Sequence, residues 1–305
     1  MSSPRLFVRR SILLAPMSLW QRCYQRVARG SLVGRIAFFF VSLLILWSPF
    51  ALVCYGAGYL WGQIQLTSTL ALVILYLCFF GNAWFWGRWG HGWLRPFETY
   101  GLVFSWSFLA DTVLALIFGL ALVCLLFGVK VFAGWASFQF QPLSAIALEG
   151  LAVGIGVGLA EELLFRGWLL TELKTKLSRS QAILWSSVIF AIAHFIKPLS
   201  EVLRTSPQFF GLLLLGIILA TWRYIYRSTR PFASLGLPMG LHAGLVWGYY
   251  IVDVADLVVP SDRVPEWVTG IHGNPLSGIL GLVILSSVVC LSFIKLGQTS
   301  KIHSK

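Results

Sequence analysis

The sequence predicts an all-α fold, a polytopic membrane bundle of about eight transmembrane helices. Three observations carry that expectation. Apolar residues make up 58% of the 305-residue chain and charged residues 11%, with a mean hydropathy of +0.81. An average soluble domain is about 25% charged, so too little charge is present to build a watery surface. The apolar residues gather in blocks, most near the roughly 20-residue length that crosses a bilayer as a helix. The bases fall between those blocks on alternate sides, which excludes a nucleic-acid-binding reading of the +12 net charge.

The first 35 residues, with seven arginines, five serines and no acid, read as a basic cytoplasmic arm. An organellar transit peptide has the same composition, and no early apolar stretch ends in a cleavable signal site. The apolar blocks follow as Ile36–Leu60, Leu66–Trp86, Leu102–Gly128, Leu143–Leu170, Ala182–Ile196, Phe209–Trp222, Phe232–Val252 and Leu276–Ile294. The fifth and sixth are short, as tilted or partly buried helices are. Between the second and third, Arg88–Tyr100 mixes Trp and Arg, the composition of an interfacial segment. With the N-terminus inside, eighteen bases fall in inner segments, Arg223, Arg227 and Arg230 among them, and four (Lys130, Lys197, Arg204 and Arg263) in outer ones. That bias sets both termini in the cytoplasm. The outer loop Asp253–Pro275 carries Asp253, Asp256, Asp262 and Glu266, an acidic cap. The expected organisation is therefore the arm at 1–35, N-terminal helices over 36–130, a core over 140–255, and the outer loop, last helix and basic tail over 256–305. Cys23, Cys54, Cys78, Cys124 and Cys290 form no CxxC pair and read as unpaired packing thiols.

One block carries charge where charge is expensive. Glu161 and Glu162 lie side by side within a span, and Arg166 follows four residues after Glu162. Each charge near a membrane helix centre costs about 2.5–3.5 kcal/mol. Glu162 and Arg166 share a helix face and pair; an ion pair that merely pins helices needs no second glutamate, and Glu161 points about 100° away. His194 and His242 lie in two further spans. At a rise of 1.5 Å per residue, Glu161, His194 and His242 lie about 15, 21 and 16 Å from their cytoplasmic ends, near the middle of a ~30 Å core. Their agreement in depth points to one site. His91, His272 and His303 read as interfacial or solvated. Gly150, Gly154 and Gly158, with Ala152 and Gly156 beside them, repeat the small-xxx-small spacing of closely packed membrane helices. They do not form a phosphate loop, since no strand precedes them and no Lys follows.

A carboxylate with two imidazoles supports hydrolysis by two routes. It can bind zinc with an open position, with Glu161, His194 and His242 as ligands, or the carboxylate can activate water directly. There is no H-E-x-x-H and no G-x-S-x-G. Glu161-Glu162-x-x-x-Arg166, then Phe190-x-x-x-His194, then His242, resembles the three ordered motifs of the CAAX protease and bacteriocin-processing (CPBP) intramembrane protease family, over roughly 144–252. Type II CAAX prenyl endopeptidases belong to that family. The resemblance implies an intramembrane endopeptidase of a membrane-associated protein or peptide, and the basic arm and aromatic richness fit a bacterial plasma membrane or an organelle membrane of bacterial descent. It implies Glu161 as the base for water and Glu162 paired with Arg166. His194 would orient the water or bind metal, and His242 would stabilise the oxyanion or serve as a second ligand. The cofactor, Zn2+ or none, stays open.

One position departs from the pattern. Family members often carry Asn or Asp four residues after the third-motif His, where this chain has Val246. Loss of one oxyanion donor typically costs about 100- to 1000-fold in rate. Either another donor substitutes, with Trp247 and Tyr249 as candidates, or the chain is a weak or inactive relative that serves as a membrane scaffold or chaperone. A transporter using the glutamates as proton carriers is a third class. It lacks support, because the sequence shows no internal repeat.

Overall fold

The computed structural model describes residues 18–225, 234–261 and 263–302. Most of the basic arm (1–17), Arg227, Arg230, Phe232, Asp262, His303 and Lys305 lie outside the described residues. The chain divides into two units, 1–96 and 97–305.

In the first unit, helices α1 (Leu19–Ala28), α2 (Leu32–Trp61) and α3 (Ile64–Phe85) follow one another through short turns. The Ser18 and Ser31 hydroxyls cap the first two by accepting backbone N–H groups. Gly62 stops α2 with φ of 66°, a conformation that glycine adopts freely. Asn82 ties the helices together: it donates to the Phe39 carbonyl at 3.0 Å and accepts from the Tyr24 hydroxyl at 3.1 Å and the Ser42 hydroxyl at 3.2 Å. A π-helical turn, Trp86–Gly90, follows α3, and its Trp86 and Trp89 pack on Tyr24, with Trp86 fully buried.

The second unit holds α4 (Trp106–Phe132), strand β1 (Ala136–Phe138), α5 (Ser144–Glu162), α6 (Arg179–Ala193), α7 (Gln208–Trp222), α8 (Gly236–Val254), β2 (Val258–Pro260) and α9 (Ile279–Ile302). A short helix, Leu199–Thr205, precedes α7 at a bend of 76°. β1 and β2 pair antiparallel, with Ser137 opposite Val259, a small ribbon in a structure otherwise helical. All five cysteines are unpaired, but only Cys54 and Cys78 are buried as packing thiols, whereas Cys23, Cys124 and Cys290 are exposed at the helix surface.

The protein is a multi-pass membrane protein. Among the described residues, five helices are long and apolar enough to cross a bilayer, or six if the bent pair ending in α7 counts as one span. All eight apolar blocks are helical, but the count of eight does not follow from length and composition alone. The 15 residues of α6 rise only about 22 Å, less than a ~30 Å hydrocarbon core.

Two glycine ladders set how closely the second unit packs. A Cβ added at Gly154 would lie 2.6 Å from the Ala243 carbonyl oxygen, and one at Gly158 2.9 Å from that of Met239, so α5 lies directly on the backbone of α8. Gly156 and Ala152 do not share that face. Gly156 has open space around it and Ala152 is exposed, because a helix turns about 100° per residue and carries residues two positions off the ladder about 200° round, away from α8. On α8 itself, Gly236, Gly240, Gly244 and Gly248 form a second ladder against α4. A Cβ at Gly240 would come within 2.0 Å of the Thr112 carbonyl oxygen. Helix α8 is thus clamped backbone to backbone between α4 and α5, and that fixes the position of His242.

Candidate active site

Helix α5 does not end at Glu162. It widens into a π-helical segment, Leu163–Leu169, before a last α turn to Leu173. Such segments are rare and frequent at functional sites, since they turn the backbone and expose carbonyls. Other elements satisfy these carbonyls: the Ser186 hydroxyl donates to Phe165 O at 3.0 Å, and the Arg223 guanidinium donates to Arg166 O and to Tyr100 O. Sequence reasoning missed Arg223 by assigning it to a cytoplasmic loop; it is instead buried against the motif helix. Its place one residue beyond α7, rather than deep in a loop, was the available signal.

The five residues singled out from the sequence come together. Arg166 and Glu162 are fully buried, with Arg166 Nη1 donating to Glu162 Oε1 at 2.9 Å. Arg166 Nη2 donates to the Gly216 carbonyl at 3.3 Å, and the guanidinium lies 4.2 Å over the Phe190 ring. His242 Nδ1 donates to the same Glu162 oxygen at 2.8 Å. Glu162 therefore holds the third-motif histidine as well as the arginine.

Glu161 faces the other way around the ring. Its Oε2 is buried, accepts no hydrogen bond among the described residues, and stands 4.0 Å from both His194 Nε2 and His242 Nε2. His194 Nδ1 donates to the Phe190 carbonyl at 2.8 Å. A carbonyl and a doubly bonded carboxylate oxygen can only accept, so both imidazoles carry their proton on Nδ1. In the neutral ring, each therefore presents a bare Nε2 lone pair to Glu161. Phe190 locks this arrangement: its ring meets His194 edge-on at 4.6 Å, His242 at 6.1 Å and Phe165 at 5.1 Å.

The spacing bears on what this cluster can hold. Ligands bonded at about 2.1 Å around a tetrahedral metal are about 3.4 Å apart. Separations of 4.0 Å are wider than that, and among the described residues no group of three His, Cys, Asp or Glu side chains is arranged to hold a metal ion. A single water that donates at about 2.8 Å to Glu161 Oε2 and to one imidazole Nε2 spans such a separation.

A cavity of about 480 Å³ opens from the two histidines. Its walls are mostly apolar, with Gln208, Tyr249, Asp253 and Asn274 as polar points. Val246 lines it and offers no donor. Trp247, the first substitute considered, donates its indole N–H to the Ala147 carbonyl at 2.8 Å and does not line the cavity. Tyr249 lines the cavity, and its hydroxyl interacts with Asp253 one turn away.

No curated protein and no solved structure matches the chain. Residues 142–248, about a third of the length, match the family model described as Type II CAAX prenyl endopeptidase Rce1-like. The matched segment contains all five residues of the cluster.

Proposed function

We propose that this protein is an intramembrane endopeptidase that hydrolyses a peptide bond of a membrane-associated protein, using water activated by Glu161. The observation that carries the reading is the buried Oε2 of Glu161, which accepts no hydrogen bond among the described residues and faces two imidazole Nε2 atoms at 4.0 Å. A water there can give one proton to Glu161 while a histidine Nε2 accepts a hydrogen bond from its remaining O–H and aims the oxygen lone pair. The oxygen then attacks the scissile carbonyl carbon, and the carbonyl π electrons move onto oxygen. When the tetrahedral intermediate collapses, the C–N bond breaks and Glu161 returns its proton to the departing nitrogen. Glu162 keeps His242 in the Nδ1–H tautomer and is itself neutralised by Arg166. The wider ligand spacing does not suit a metal as the residues stand, so the reaction is derived from the side chains alone.

The Rce1-like match makes a prenylated CAAX tail the first substrate to offer. Membranes from cells expressing wild type or Glu161→Gln should differ by uncut protein C-termini that accumulate only in the variant, read by mass spectrometry. The apolar Val246 in the cavity wall favours a second reading, a catalytically silent scaffold. Under that reading the two membranes are indistinguishable.

A further inference from the structure

The cluster around Glu161 accounts for water but not for the oxyanion that attack creates. Both imidazoles spend their N–H groups away from the cavity, on Phe190 O and Glu162. Arg166 is fully buried on Glu162 and Gly216. Val246 has no donor, Trp247 is spent on Ala147, and the Tyr249 and Tyr250 hydroxyls interact with Asp253 and Glu149. Asn274, whose Oδ1 accepts the Leu276 N–H at 2.9 Å, keeps its N–H groups unspent but is held as the cap of the turn Pro275–Ser277. Gln208 is different. It lines the same cavity as His194 and His242, and among the described residues its carboxamide makes no hydrogen bond.

The register of two helices puts it at the height of the chemistry. Helices α6 and α7 run antiparallel: a Cβ on Gly216 would touch Ser187 at 2.9 Å, and further along the Phe195 and Phe209 rings lie 6.3 Å apart. His194 and Gln208 each immediately precede one of those phenylalanines in chain segments of opposite direction, so they lie about one residue to either side of that contact, roughly 3 Å apart in height. Gln208 is the first residue of α7, beside Pro207 and just after the 76° bend.

We propose that the side-chain amide of Gln208 donates the hydrogen bond that stabilises the oxyanion, taking the part that Val246 cannot. The assignment rests on the endopeptidase reading and makes Gln208 a catalytic residue. An amide N–H aimed at developing charge in a water-poor site is worth about 100- to 1000-fold in rate.

The test uses full-length protein in proteoliposomes with a fluorogenic farnesylated CAAX peptide, and measures kcat, KM and melting midpoint. Gln208→Ala should lower kcat by about 100-fold or more with KM and melting little changed. Gln208→Glu keeps the shape but removes the donor, and should fall as far. Val246→Asn should raise the rate of Gln208→Ala by a larger factor than it raises that of wild type, because the two positions serve one oxygen. Wild-type kcat in both Gln208 variants, with Glu161→Gln inactive, would overturn the Gln208 assignment and leave the protease reading standing. Equal gains from Val246→Asn in both backgrounds would overturn it too. Wild type as inactive as Glu161→Gln would remove both readings together.

Discussion

Removing Arg166 tests whether the buried cluster is one electrostatic unit. Arg166→Ala deletes the 2.9 Å bond to Glu162, the 3.3 Å bond to the Gly216 carbonyl and the guanidinium over Phe190, all at a residue with no solvent exposure. Glu162 would then be a fully buried carboxylate with only His242 to satisfy it. Removing one partner of a buried ion pair typically costs about 3–5 kcal/mol, because the other charge stays behind without compensation. At about 1.4 kcal/mol per factor of ten, the folded-to-unfolded ratio should fall by roughly a hundred- to a few thousand-fold. The comparison that isolates the charge is Arg166→Ala with Glu162→Gln, in which the stranded carboxylate becomes a neutral amide. The double variant should melt higher than Arg166→Ala alone and yet stay inactive, since His242 is no longer held by a carboxylate. The assay is the unfolding midpoint of the protein in detergent, read by tryptophan fluorescence at low and at high salt. Salt should matter little, because the pair is out of reach of counterions. A melting midpoint for Arg166→Ala equal to wild type, or a double variant less stable than the single one, would refute the reasoning.

Gly240→Leu should abolish folded yield, since its Cβ would meet the Thr112 carbonyl oxygen at 2.0 Å, whereas Gly156→Leu should fold normally because its side chain enters open space; size-exclusion recovery separates the two. Arg223→Met should lower the melting midpoint by withdrawing the donor from the Arg166 and Tyr100 carbonyls, and Arg223→Lys should recover part of the loss. In a cysteine-free background, single cysteines at Ser178 and His272 should label from opposite sides of the membrane, with His272 outside; labelling from the same side contradicts the orientation set by loop charge.

The site was more legible in the sequence than the helix count was. Glu161, Glu162, Arg166, His194 and His242 are conspicuous because each is costly in an apolar helix, and helical rise alone put Glu161, His194 and His242 at similar depth. The assignment of partners was only partly legible. Spacing of four pairs Glu162 with Arg166, but nothing local says that His242, eighty residues later, bonds the same oxygen. The π-helical widening at Leu163–Leu169 left no mark in the hydrophobic pattern, because Leu, Phe and Trp suit either helix. The glycine ladder at Gly236, Gly240, Gly244 and Gly248 was readable at the same spacing as the one before the glutamates. The number of spans was not, because a buried helix of 15 residues such as α6 has the same composition as one facing lipid.

The most direct measurement is peptide hydrolysis by the purified protein with a single oxygen-to-nitrogen change at Glu161. In proteoliposomes with a fluorogenic farnesylated CAAX peptide, wild type should cleave. Glu161→Gln, which keeps the side-chain shape but cannot take a proton, should lose at least about 100- to 10,000-fold in kcat at an unchanged melting midpoint. Equal rates for the two proteins, whether high or nil, would contradict a hydrolysis that begins with Glu161 and water.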